Sequence, residues 1–522
     1  MTDFSQGRTN VPMGGSQAPG AQTVSGSRGL EFAEPLIFEM HHEGRTGVDL
    51  PDVPVSDARL NGMRRQGPVG LPGLSEPQVV RHYTRLSQKN YGIDSGFYPL
   101  GSCTMKHNPR LGEKAARMAG LGDLHPLQPF STVQGALELV DTLAHWIKTL
   151  CGMPAVAMSP AAGAHGELCG MMAIKAAIED RGEAATRTRV LVPDSAHGTN
   201  PATAAACGFS VDSIPANDRG RVDVAALKAK LGPDVAGVML TNPNTCGLFE
   251  TEILDIADAV HAAGGYFYCD GANFNAIVGR VRPGDLGIDC MHLNLHKTFA
   301  TPHGGGGPGA GPTVLSDALA PYAPVPYIVH DAKGLRLVER QADAGEGEKP
   351  FGRIKGFHGQ MGVFIRALVY MMSHGAEGLL QSSTDAVLNA NYLRARLGDV
   401  MSVPFDGICM HEVLFDDAFL HDTGVTTLDF AKAMIDEGFH PMTMYFPLVV
   451  HGALLMEPTE SESKETLDGY VATLRALTER AKAGDVQFFK DAPRLTPRRR
   501  LDETTAARKP VLRWTPPVED NA

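Results

Sequence analysis

The run Met291-His292-Leu293-Asn294-Leu295-His296-Lys297 is mostly apolar and ends on a lysine. We predict a buried strand over Cys290–Leu295, closed by Lys297. Most lysines are solvated surface charges, but a lysine taken out of water at a strand end presents an amine that forms Schiff bases with carbonyl compounds. The glycine-rich residues 304–309 follow, and they either let the backbone approach a ligand closely or form a simple flexible loop.

Short apolar runs alternate with helical spacing between residues 135 and 300. The predicted strands are Ala155–Met158, Arg189–Val192, Val235–Thr241, Gly265–Cys269 and Cys290–Leu295. The predicted helices are Ala136–Leu150, Glu167–Asp180, Asn200–Cys207 and Val222–Leu231. This alternation favours an α/β fold, with a mostly parallel sheet covered by helices on both faces.

Each predicted strand is followed at once by polar, glycine-rich or charged residues. These endings are residues 159–163, 194–197, 242–244, 270–272 and 296–297. In an open α/β sheet the ligand crevice lies outside the carboxyl ends of the parallel strands. The endings together therefore predict a binding site at one edge of the sheet, and they do so more strongly than any single motif.

One of these endings carries an acid. Asp270 follows the apolar residues 266–269, and Ala272 is small enough to leave room for a flat ring. A carboxylate at the end of a buried strand needs a partner, because desolvating an unpaired charge is costly. A protonated heteroaromatic nitrogen is one such partner. The alternative is an aspartate that caps the following helix.

Two further loops offer a phosphate site and a ring contact. Residues 160–167 join a strand to a helix, and their small side chains expose backbone N–H groups at the helix N-terminus, where phosphates often bind. They do not form a Walker loop, since no Lys-Ser/Thr pair stands at the required place. His197 either lies flat on a planar cofactor or is an ordinary structural histidine. A Ser-His-Asp triad within residues 194–200 is disfavoured, because residues so close along one loop rarely reach triad geometry.

Composition limits the class of protein. The chain has 522 residues, enough for two or three domains, and its apolar fraction of 43% is ordinary for a globular protein. Lys and Arg total 47 and Asp and Glu total 59, so the formal net charge of −12 disfavours nucleic acid and anionic membranes as partners. The eight cysteines are scattered without zinc-site spacing, so we expect reduced thiols and no metal. We find no secretory signal or membrane span and expect a cytoplasmic protein.

We divide the chain into five parts. They are a flexible N-terminal arm (1–35), an N-terminal segment that packs on the large domain and a partner (36–135), a large cofactor domain (136–375), a small C-terminal α+β domain (376–490) and a basic tail (491–522). The elements predicted in the small domain are helices over Ala386–Leu397, Thr427–Glu437 and Ser463–Ala481 and a strand over Glu412–Phe415. The tail either contacts a partner or is a solvated terminus.

The residues at the strand ends describe one ligand, a planar phosphorylated heterocycle with an aldehyde. They supply a phosphate cradle, a histidine to stack on a ring, an acid for a ring nitrogen and a lysine for the carbonyl carbon. Pyridoxal phosphate (PLP) needs this set, because its ring withdraws electrons only while the ring nitrogen stays protonated.

Several long and unusual strings of sequence carry a family resemblance. They are residues 36–39, 44–47, 97–106, 125–129, 241–245, 293–299, 445–448 and 457–465. Through these strings the sequence, from about Leu36 to Phe488, resembles the glycine cleavage system P-protein, specifically the second, catalytic subunit of its two-chain form.

The resemblance implies a fold-type-I PLP-dependent transferase, aminotransferase-like, that decarboxylates glycine and passes the aminomethyl group to the lipoyl arm of H-protein. It implies that Lys297 holds PLP, that Asp270 pairs with the ring nitrogen and that His197 stacks on the ring. The other cofactor contacts that it implies are Ala162, Gly163, Ala164, Ala272, His296 and Asn242.

The resemblance also implies a partner, the first (α) subunit, in an α2β2 heterotetramer. The α subunit has the same fold but lacks the lysine, so Lys297 favours the β assignment. The alternative is another fold-type-I PLP enzyme, such as an amino-acid decarboxylase or a cysteine desulfurase. Such an enzyme shares Lys297 and Asp270 but does not need the strings 97–106 and 457–465. A catalytically silent binding subunit is disfavoured by Lys297 itself.

Overall fold

The computed structural model describes residues 34–51, 59–67, 69–304 and 307–515. Apart from residues 34 and 35, the predicted N-terminal arm lies outside the described residues. The helices are α1 (Glu76–Lys89), α2 (Arg110–Ala116), α3 (Ala119–Gly122), α4 (Gln134–Cys151), α5 (Gly163–Asp180), α6 (Thr199–Ala206), α7 (Val224–Lys230), α8 (Ile253–Ala262), α9 (Leu295–Thr298), α10 (Met361–Leu397), α11 (Thr427–Asp436), α12 (Lys464–Lys482), α13 (Val486–Asp491) and α14 (Glu503–Arg508). The strands are β1 (Ala155–Ala157), β2 (Arg189–Pro193), β3 (Ser210–Ile214), β4 (Val235–Thr241), β5 (Tyr266–Gly271), β6 (Cys290–Leu293), β7 (Thr313–Leu315), β8 (Tyr327–Asp331), β9 (Gly334–Val338), β10 (Val413–Phe415), β11 (Thr443–Met444) and β12 (Leu454–Met456).

The large sheet has seven strands in the order β1-β7-β6-β5-β4-β2-β3. Strands β3, β2, β4, β5 and β6 pair in parallel, and β7 runs antiparallel to both of its neighbours, β6 and β1. The predicted α/β architecture with a mostly parallel sheet is therefore confirmed. The carboxyl ends of β1, β2, β4, β5 and β6 lie at one edge of the sheet, which is the condition that the predicted crevice needs.

The central strands are buried on both faces, which explains their continuous apolar sequence. In β5, Phe267 and Cys269 pack into one apolar cluster with side chains of α4, α8 and α10. Tyr266 and Tyr268 point to the other face and pack with side chains of α5 and α6. Alternate residues of one strand thus contact different helix layers, as the period of two in a strand requires.

The sequence did not predict strands β3, β7, β11 and β12 or the hairpin of β8 and β9. Strand β3 lies at the edge of the sheet, and most of Ser210–Ile214 is polar and exposed. Strand β7 has three residues, and the hairpin of β8 and β9 forms a separate sheet of two strands. Short or edge strands bury little apolar surface, so their sequences carry a weak pattern.

The C-terminal part forms its own layer. Strands β10, β12 and β11 make an antiparallel sheet, and residues of this sheet pack with α11, α12 and the second half of α10 in a separate apolar cluster. Helix α10 spans 37 residues and crosses the predicted boundary at 375. Its one non-helical residue is Gly375, with φ of 62°. The sequence reading predicted only its last third, Ala386–Leu397.

The ends of the described chain pack on these two layers. Leu100, in the N-terminal segment, forms an isolated antiparallel bridge with Met456 of β12. In the predicted basic tail, Arg500 forms an ion pair with Asp429 of α11 at 2.7 Å and also donates to the backbone carbonyl oxygen of Phe489. This part of the tail therefore contacts the chain itself. Among the described residues, no helix combines the length and the apolar character needed to cross a bilayer.

Candidate active site

The predicted acid lies within strand β5, which extends two residues beyond the predicted end at Cys269, and the predicted lysine follows the neighbouring strand β6. Asp270 lies at the end of β5, where it is paired in register with Thr241 of β4 and His292 of β6. Lys297 does not close β6 directly, as the sequence reading expected. The strand ends at Leu293, and the backbone N–H of Lys297 donates to Asn294 O at 3.0 Å, which begins the single helical turn α9. The chain thus turns back over the strand end and carries Lys297 on that turn.

Lys297 is buried, and its amine has a definite partner. Its Nζ donates to the backbone carbonyl oxygen of Ser102 at 2.7 Å. A second buried lysine, Lys106, lies in the same segment as Ser102. Burial would lower the pKa of Lys106, but the Glu460 carboxylate outweighs this effect and raises it. Lys106 Nζ also donates to the Thr298 carbonyl oxygen at 2.7 Å, so Lys106 serves as a buried structural cation.

The carboxylate of Asp270 is held by neutral donors. Its Oδ1 accepts from the backbone N–H of Ala272 at 2.9 Å. The alternative that Asp270 caps the next helix is wrong, because the N-cap of the following helical turn, Phe274–Ala276, is Asn273. With its amide nitrogen turned toward the acids, Asn200 donates to Asp270 Oδ2 at 3.1 Å. The buried imidazole Nε2 of His292 lies 3.5 Å from Oδ1. These contacts fix the orientation of the Asp270 carboxylate. Because Asp270 is buried, a negative charge on it is costly unless a positively charged group lies beside it.

Glu167 is a second buried acid beside Asp270, and the sequence reading gave it no role. The nitrogen of Asn200 that faces Asp270 also lies 3.1 Å from Glu167 Oε2. Thr199 Oγ1 donates to Glu167 Oε1 at 2.7 Å. Burial, and then the negative charge of Asp270, raise the pKa of Glu167 to about 7. Glu167 therefore holds a proton over part of the neutral range.

His197 keeps an exposed edge and has a fixed ring orientation. Its Nδ1 lies 2.9 Å from Thr199 Oγ1 and 3.2 Å from the backbone nitrogen of Thr199. Phe446 contacts the ring edge-on, with a centroid distance of 5.7 Å. Desolvation of the ring lowers the pKa of His197; the charge of Lys297 acts in the same direction and that of Asp270 opposes it. The ring is thus a neutral, oriented surface in the electrostatic field of both residues.

The predicted phosphate loop opens helix α5. Ala162 is the N-cap residue and has no side-chain group to accept from the first backbone N–H groups of the helix. Ala164 is exposed in this first turn, and His165 links the loop to the rest of the domain through Ala161 N at 3.1 Å and Ile354 O at 2.9 Å. A Cβ on Gly163 would lie 2.8 Å from Asn294 Nδ2, so the close approach here requires glycine.

The remaining predicted contacts also lie at this edge of the sheet. Asn242 follows β4, and its Oδ1 accepts from the backbone N–H of Glu250 at 3.0 Å. His296 precedes Lys297, and burial, together with the charge of Lys297, lowers its pKa to about 3. Ala272 donates its backbone N–H to Asp270. Several buried polar atoms in this region have no hydrogen-bond partner among the described residues, namely Ser159 Oγ, Thr241 Oγ1, Asn242 Nδ2 and His296 Nδ1.

Sequence reasoning missed the residues that support the site from a distance in the chain. These are Glu167, Asn200, His292 and the Ser102 carbonyl group, together with the buried acids Glu412 and Glu457. For three of these residues the sequence itself contained a signal. Glu412 opened a predicted apolar strand, and Ser102 and Glu457 lie in strings that carried the family resemblance. Their roles depend on contacts between distant segments, which a linear pattern does not contain.

Two family models match the chain. The model described as "Aminotransferase class-V" matches residues 169–306, which include β2, β4, β5 and β6. The model described as "Glycine dehydrogenase, C-terminal domain" matches residues 382–492, which include β10, β11 and β12. The two matches fall on the two sheets of more than two strands.

A solved structure has the same fold. It is described as glycine decarboxylase (P-protein) of the glycine cleavage system in inhibitor-bound form, and it is 22% identical to this chain. The match covers 81% of this chain and 94% of that one with a TM-score of 0.67. The predicted fold, that of a fold-type-I PLP-dependent transferase, is confirmed.

Curated relatives match almost from end to end. The probable glycine dehydrogenase (decarboxylating) subunit 2 of Caulobacter vibrioides is 65% identical, over 98% of each chain. The protein of the same name from Listeria monocytogenes is 48% identical, over 93% of this chain and 99% of that one. This chain therefore belongs to the family of glycine dehydrogenase (decarboxylating) subunit 2.

Proposed function

We propose that this chain is the catalytic subunit of a glycine decarboxylase. It decarboxylates glycine with PLP held by Lys297, and it passes the aminomethyl group to the lipoyl arm of H-protein. The observation that carries this proposal is the position of Asp270 at the end of β5 and of Lys297 just after the neighbouring parallel strand, β6, in a chain of this family. The charges of Asp270 and Lys297 both act on the pKa of His197, which supports one site formed by the three residues.

The residues present fit PLP on two observations. The unpaired Asn242 Nδ2 and His296 Nδ1 are buried polar atoms near the strand ends, and burying such atoms without a ligand is costly. The first turn of α5 offers backbone N–H groups to a phosphate, and its N-cap residue, Ala162, has no side-chain group that competes for them. Bound here, PLP would supply an aldehyde carbon for a lysine amine and a protonated pyridine ring that withdraws electrons.

Asp270 has the electrostatic role in this proposal. Its Oδ1 is held by the Ala272 N–H and its Oδ2 by the Asn200 amide, so the carboxylate keeps one orientation. A buried carboxylate in a fixed orientation stabilises a positive charge on a neighbouring ring nitrogen. Because the pKa of Glu167 is raised to about 7, Glu167 stays protonated to a higher pH than an ordinary glutamate. While it is protonated it adds no second negative charge beside Asp270.

Lys297 and His197 act on the substrate side. Lys297 would bind the carbonyl carbon and later take up or release protons at Nζ, and Ser102 O accepts from this amine at 2.7 Å. His197 would cover one face of a planar ring, because the contacts of its Nδ1 with Thr199 fix the orientation of the imidazole. Contact between a histidine ring and an aromatic ring also keeps water from that face.

A partner subunit is part of the proposal. The family name, subunit 2, implies that another subunit exists. The N-terminal segment also exposes large apolar side chains, which a protein that works without a partner would bury in its own fold. Those exposed by more than half are Leu36, Val48, Leu50, Met63, Val69, Leu71, Val80, Tyr83, Leu111, Met118 and Leu127. We propose that subunit 1 covers part of this segment in an α2β2 assembly, that H-protein binds the same complex, and that the complex is cytoplasmic.

The alternative activity is that of another PLP enzyme with this fold, such as an amino-acid decarboxylase or a cysteine desulfurase. Carboxyl exchange separates the two. We expect the complex of this chain with subunit 1 and lipoylated H-protein to exchange labelled bicarbonate into the glycine carboxyl group, and Lys297→Ala to abolish this exchange. A folded, PLP-loaded complex that exchanges no label would leave only the alternative.

A further inference from the structure

The backbone segment Gly101–Thr104 lies between Lys297 and the C-terminal sheet. Ser102 O accepts from Lys297 Nζ at 2.7 Å. Two residues of the segment have left-handed backbone conformations that non-glycine residues rarely adopt, Ser102 with φ of 63° and Thr104 with φ of 48°. Such conformations persist when the surrounding structure holds them, so the contacts of this segment determine where the Ser102 carbonyl group points.

Two buried glutamates hold the segment from the small-domain side. The backbone N–H of Ser102 donates to Glu412 Oε1 at 2.7 Å, and the backbone N–H of Thr104 donates to Glu457 Oε2 at 2.8 Å. Both glutamate side chains are fully buried, with no exposed area. Thr443 adds a neutral contact, since its Oγ1 donates to Gly101 O at 2.8 Å. The two acids thus hold the Gly101–Ser102 and Cys103–Thr104 peptide groups, which lie on either side of the peptide group that carries the Ser102 carbonyl oxygen.

An oxygen of Glu412 and an oxygen of Glu457 lie within 4.8 Å of each other in this buried site, so ionising both carboxyl groups carries a large cost. His411 Nε2 lies 3.6 Å from Glu412 Oε1 and 3.6 Å from Glu457 Oε1. Glu412 Oε2 and Glu457 Oε1 have no hydrogen-bond partner in the described part of the chain. Burial, and then the charge of Glu457, raise the pKa of Glu412, so Glu412 is the acid that keeps its proton.

The other titratable groups around the pair do not supply a neutralising charge. Burial lowers the pKa of His411, so its ring is neutral, with the nearby Glu457 opposing this effect. Burial raises the pKa of the Cys103 thiol to about 11, so the thiol is neutral as well. Lys297 is the cation that faces the segment, and its amine contacts Ser102 O.

We propose that Glu412 and Glu457 share one proton and act as a single clamp, which fixes the Ser102 carbonyl group as the acceptor for the Lys297 amine whenever that amine is not bonded to the cofactor. The glutamates are positioning residues, since they act on Lys297 through the Ser102 peptide. If both side chains were ionised, or if both were amides, the hydrogen bond that the shared proton makes between them would be lost. This inference rests on the proposed function.

The test is a double-mutant cycle with isosteric changes. In Glu412→Gln or Glu457→Gln alone, the amide N–H replaces the shared proton and the amide oxygen still accepts from the backbone. In the double variant two amides face each other, and one N–H group loses its acceptor. Glu250→Gln is the matched control, because Glu250 is also buried and accepts from a backbone N–H, that of Val222, at 3.2 Å.

The measurements use the complex with subunit 1. They are the rate at which added PLP becomes reducible onto Lys297 by borohydride, the pH midpoint of the visible absorbance change of bound PLP, and the melting temperature. Each single variant and the control should stay within about twofold of wild type in the rate. The double variant should attach PLP about tenfold more slowly or worse, and its pH midpoint should shift.

Three results would overturn the clamp. The first is a double variant whose rate is the product of the single effects and whose pH midpoint is unchanged. The second is a change in melting temperature alone, which would mean a purely structural role. The third is one equivalent of a transition metal per chain that the single variants lose, because His411 and the two acids would then be metal ligands. Should the double variant not fold, Glu412→Leu, which cannot accept from Ser102, should show the same slow attachment.

The outcomes separate this inference from the proposed function. If wild type attaches no PLP at Lys297, the proposed function fails and the clamp fails with it. If wild type attaches PLP and the double variant does so at the wild-type rate, the clamp alone is wrong.

Discussion

Glu167 and Asp270 lie on either side of one amide, that of Asn200, whose nitrogen is 3.1 Å from an oxygen of each acid. The two acids belong to α5 and β5 and come together at the carboxyl edge of the sheet. One of them must give up its charge or find a cation, because the region is buried. Burial and the charge of Asp270 raise the pKa of Glu167 to about 7, and this value leads to a pH prediction.

The stability of the cofactor-free protein should fall as the pH rises through 7. An unfolded glutamate has a pKa near its ordinary value of 4.5, whereas folded Glu167 has a pKa of about 7. The folded state therefore binds more protons between these values, and its extra stability is present at pH 4.5 and lost above pH 7. We expect a loss of about 2–3 kcal/mol in the free energy of unfolding.

Urea unfolding at pH 5.5 and pH 8.5 measures this loss. Glu167→Gln cannot ionise, so the difference between the two pH values should shrink by about the same 2–3 kcal/mol in this variant. An identical pH dependence in wild type and variant would mean that Glu167 does not titrate in this range.

Asp270→Asn should fold and bind PLP but lose activity. Asparagine keeps the acceptor for the Ala272 N–H but removes the charge that stabilises a protonated ring nitrogen. We expect glycine–bicarbonate exchange to fall about a hundredfold or more, corresponding to about 3 kcal/mol. Asp289→Asn is the control, since Asp289 is a buried acid just before the other end of β6 that accepts from Phe267 N at 2.7 Å. The control should lose stability without losing activity per folded chain; equal activity losses would contradict the role of Asp270.

His197→Ala should weaken PLP binding, and His197→Phe should restore most of it. The stacked ring is expected to contribute about 1 kcal/mol, so the dissociation constant should rise about five- to tenfold in the alanine variant. Equilibrium dialysis of PLP measures the effect. Should phenylalanine bind as weakly as alanine, the contribution of His197 would come from hydrogen bonding instead of stacking.

Gly163→Ala should destabilise the phosphate loop. The new Cβ would lie 2.8 Å from Asn294 Nδ2, so the loop must shift, at a cost of about 1–3 kcal/mol. The same change at Gly469, inside α12, meets nothing within 4 Å and should stabilise the chain by up to about 1 kcal/mol. Differential scanning calorimetry of both variants, with and without PLP, measures these effects. A neutral Gly163→Ala with unchanged PLP binding would show that the close approach is not needed.

The sequence predicts the central strands of the sheet well, because strands that are buried on both faces need continuous apolar sequence. Val235–Thr241 is buried along its whole length, and its apolar run has the same bounds as β4. Lys297 and Asp270 are predictable for the same reason, since charged residues are unusual directly after such runs. The edge strand Ser210–Ile214 lacks this signal, because it packs against one neighbouring strand and keeps polar side chains at the surface.

The supporting residues of the site depend on long-range contacts, and a single sequence does not contain these. Glu412 contacts Ser102, which is 310 positions away in the chain, and Glu457 contacts Thr104, 353 positions away. A lone buried glutamate has no sequence pattern of its own. Their functional meaning emerges only when the fold brings them together behind Lys297.

The most direct test of the central claim is to map where PLP attaches. The complex with subunit 1 is loaded with PLP, reduced with borohydride and digested, and the modified peptide is identified by mass spectrometry. We predict that the adduct lies on Lys297, and that Lys106, the other buried lysine near the site, stays unmodified because its amine is held by Glu460. A PLP-bound complex with an unmodified Lys297, or with the adduct on Lys106, would contradict the assignment of this active site.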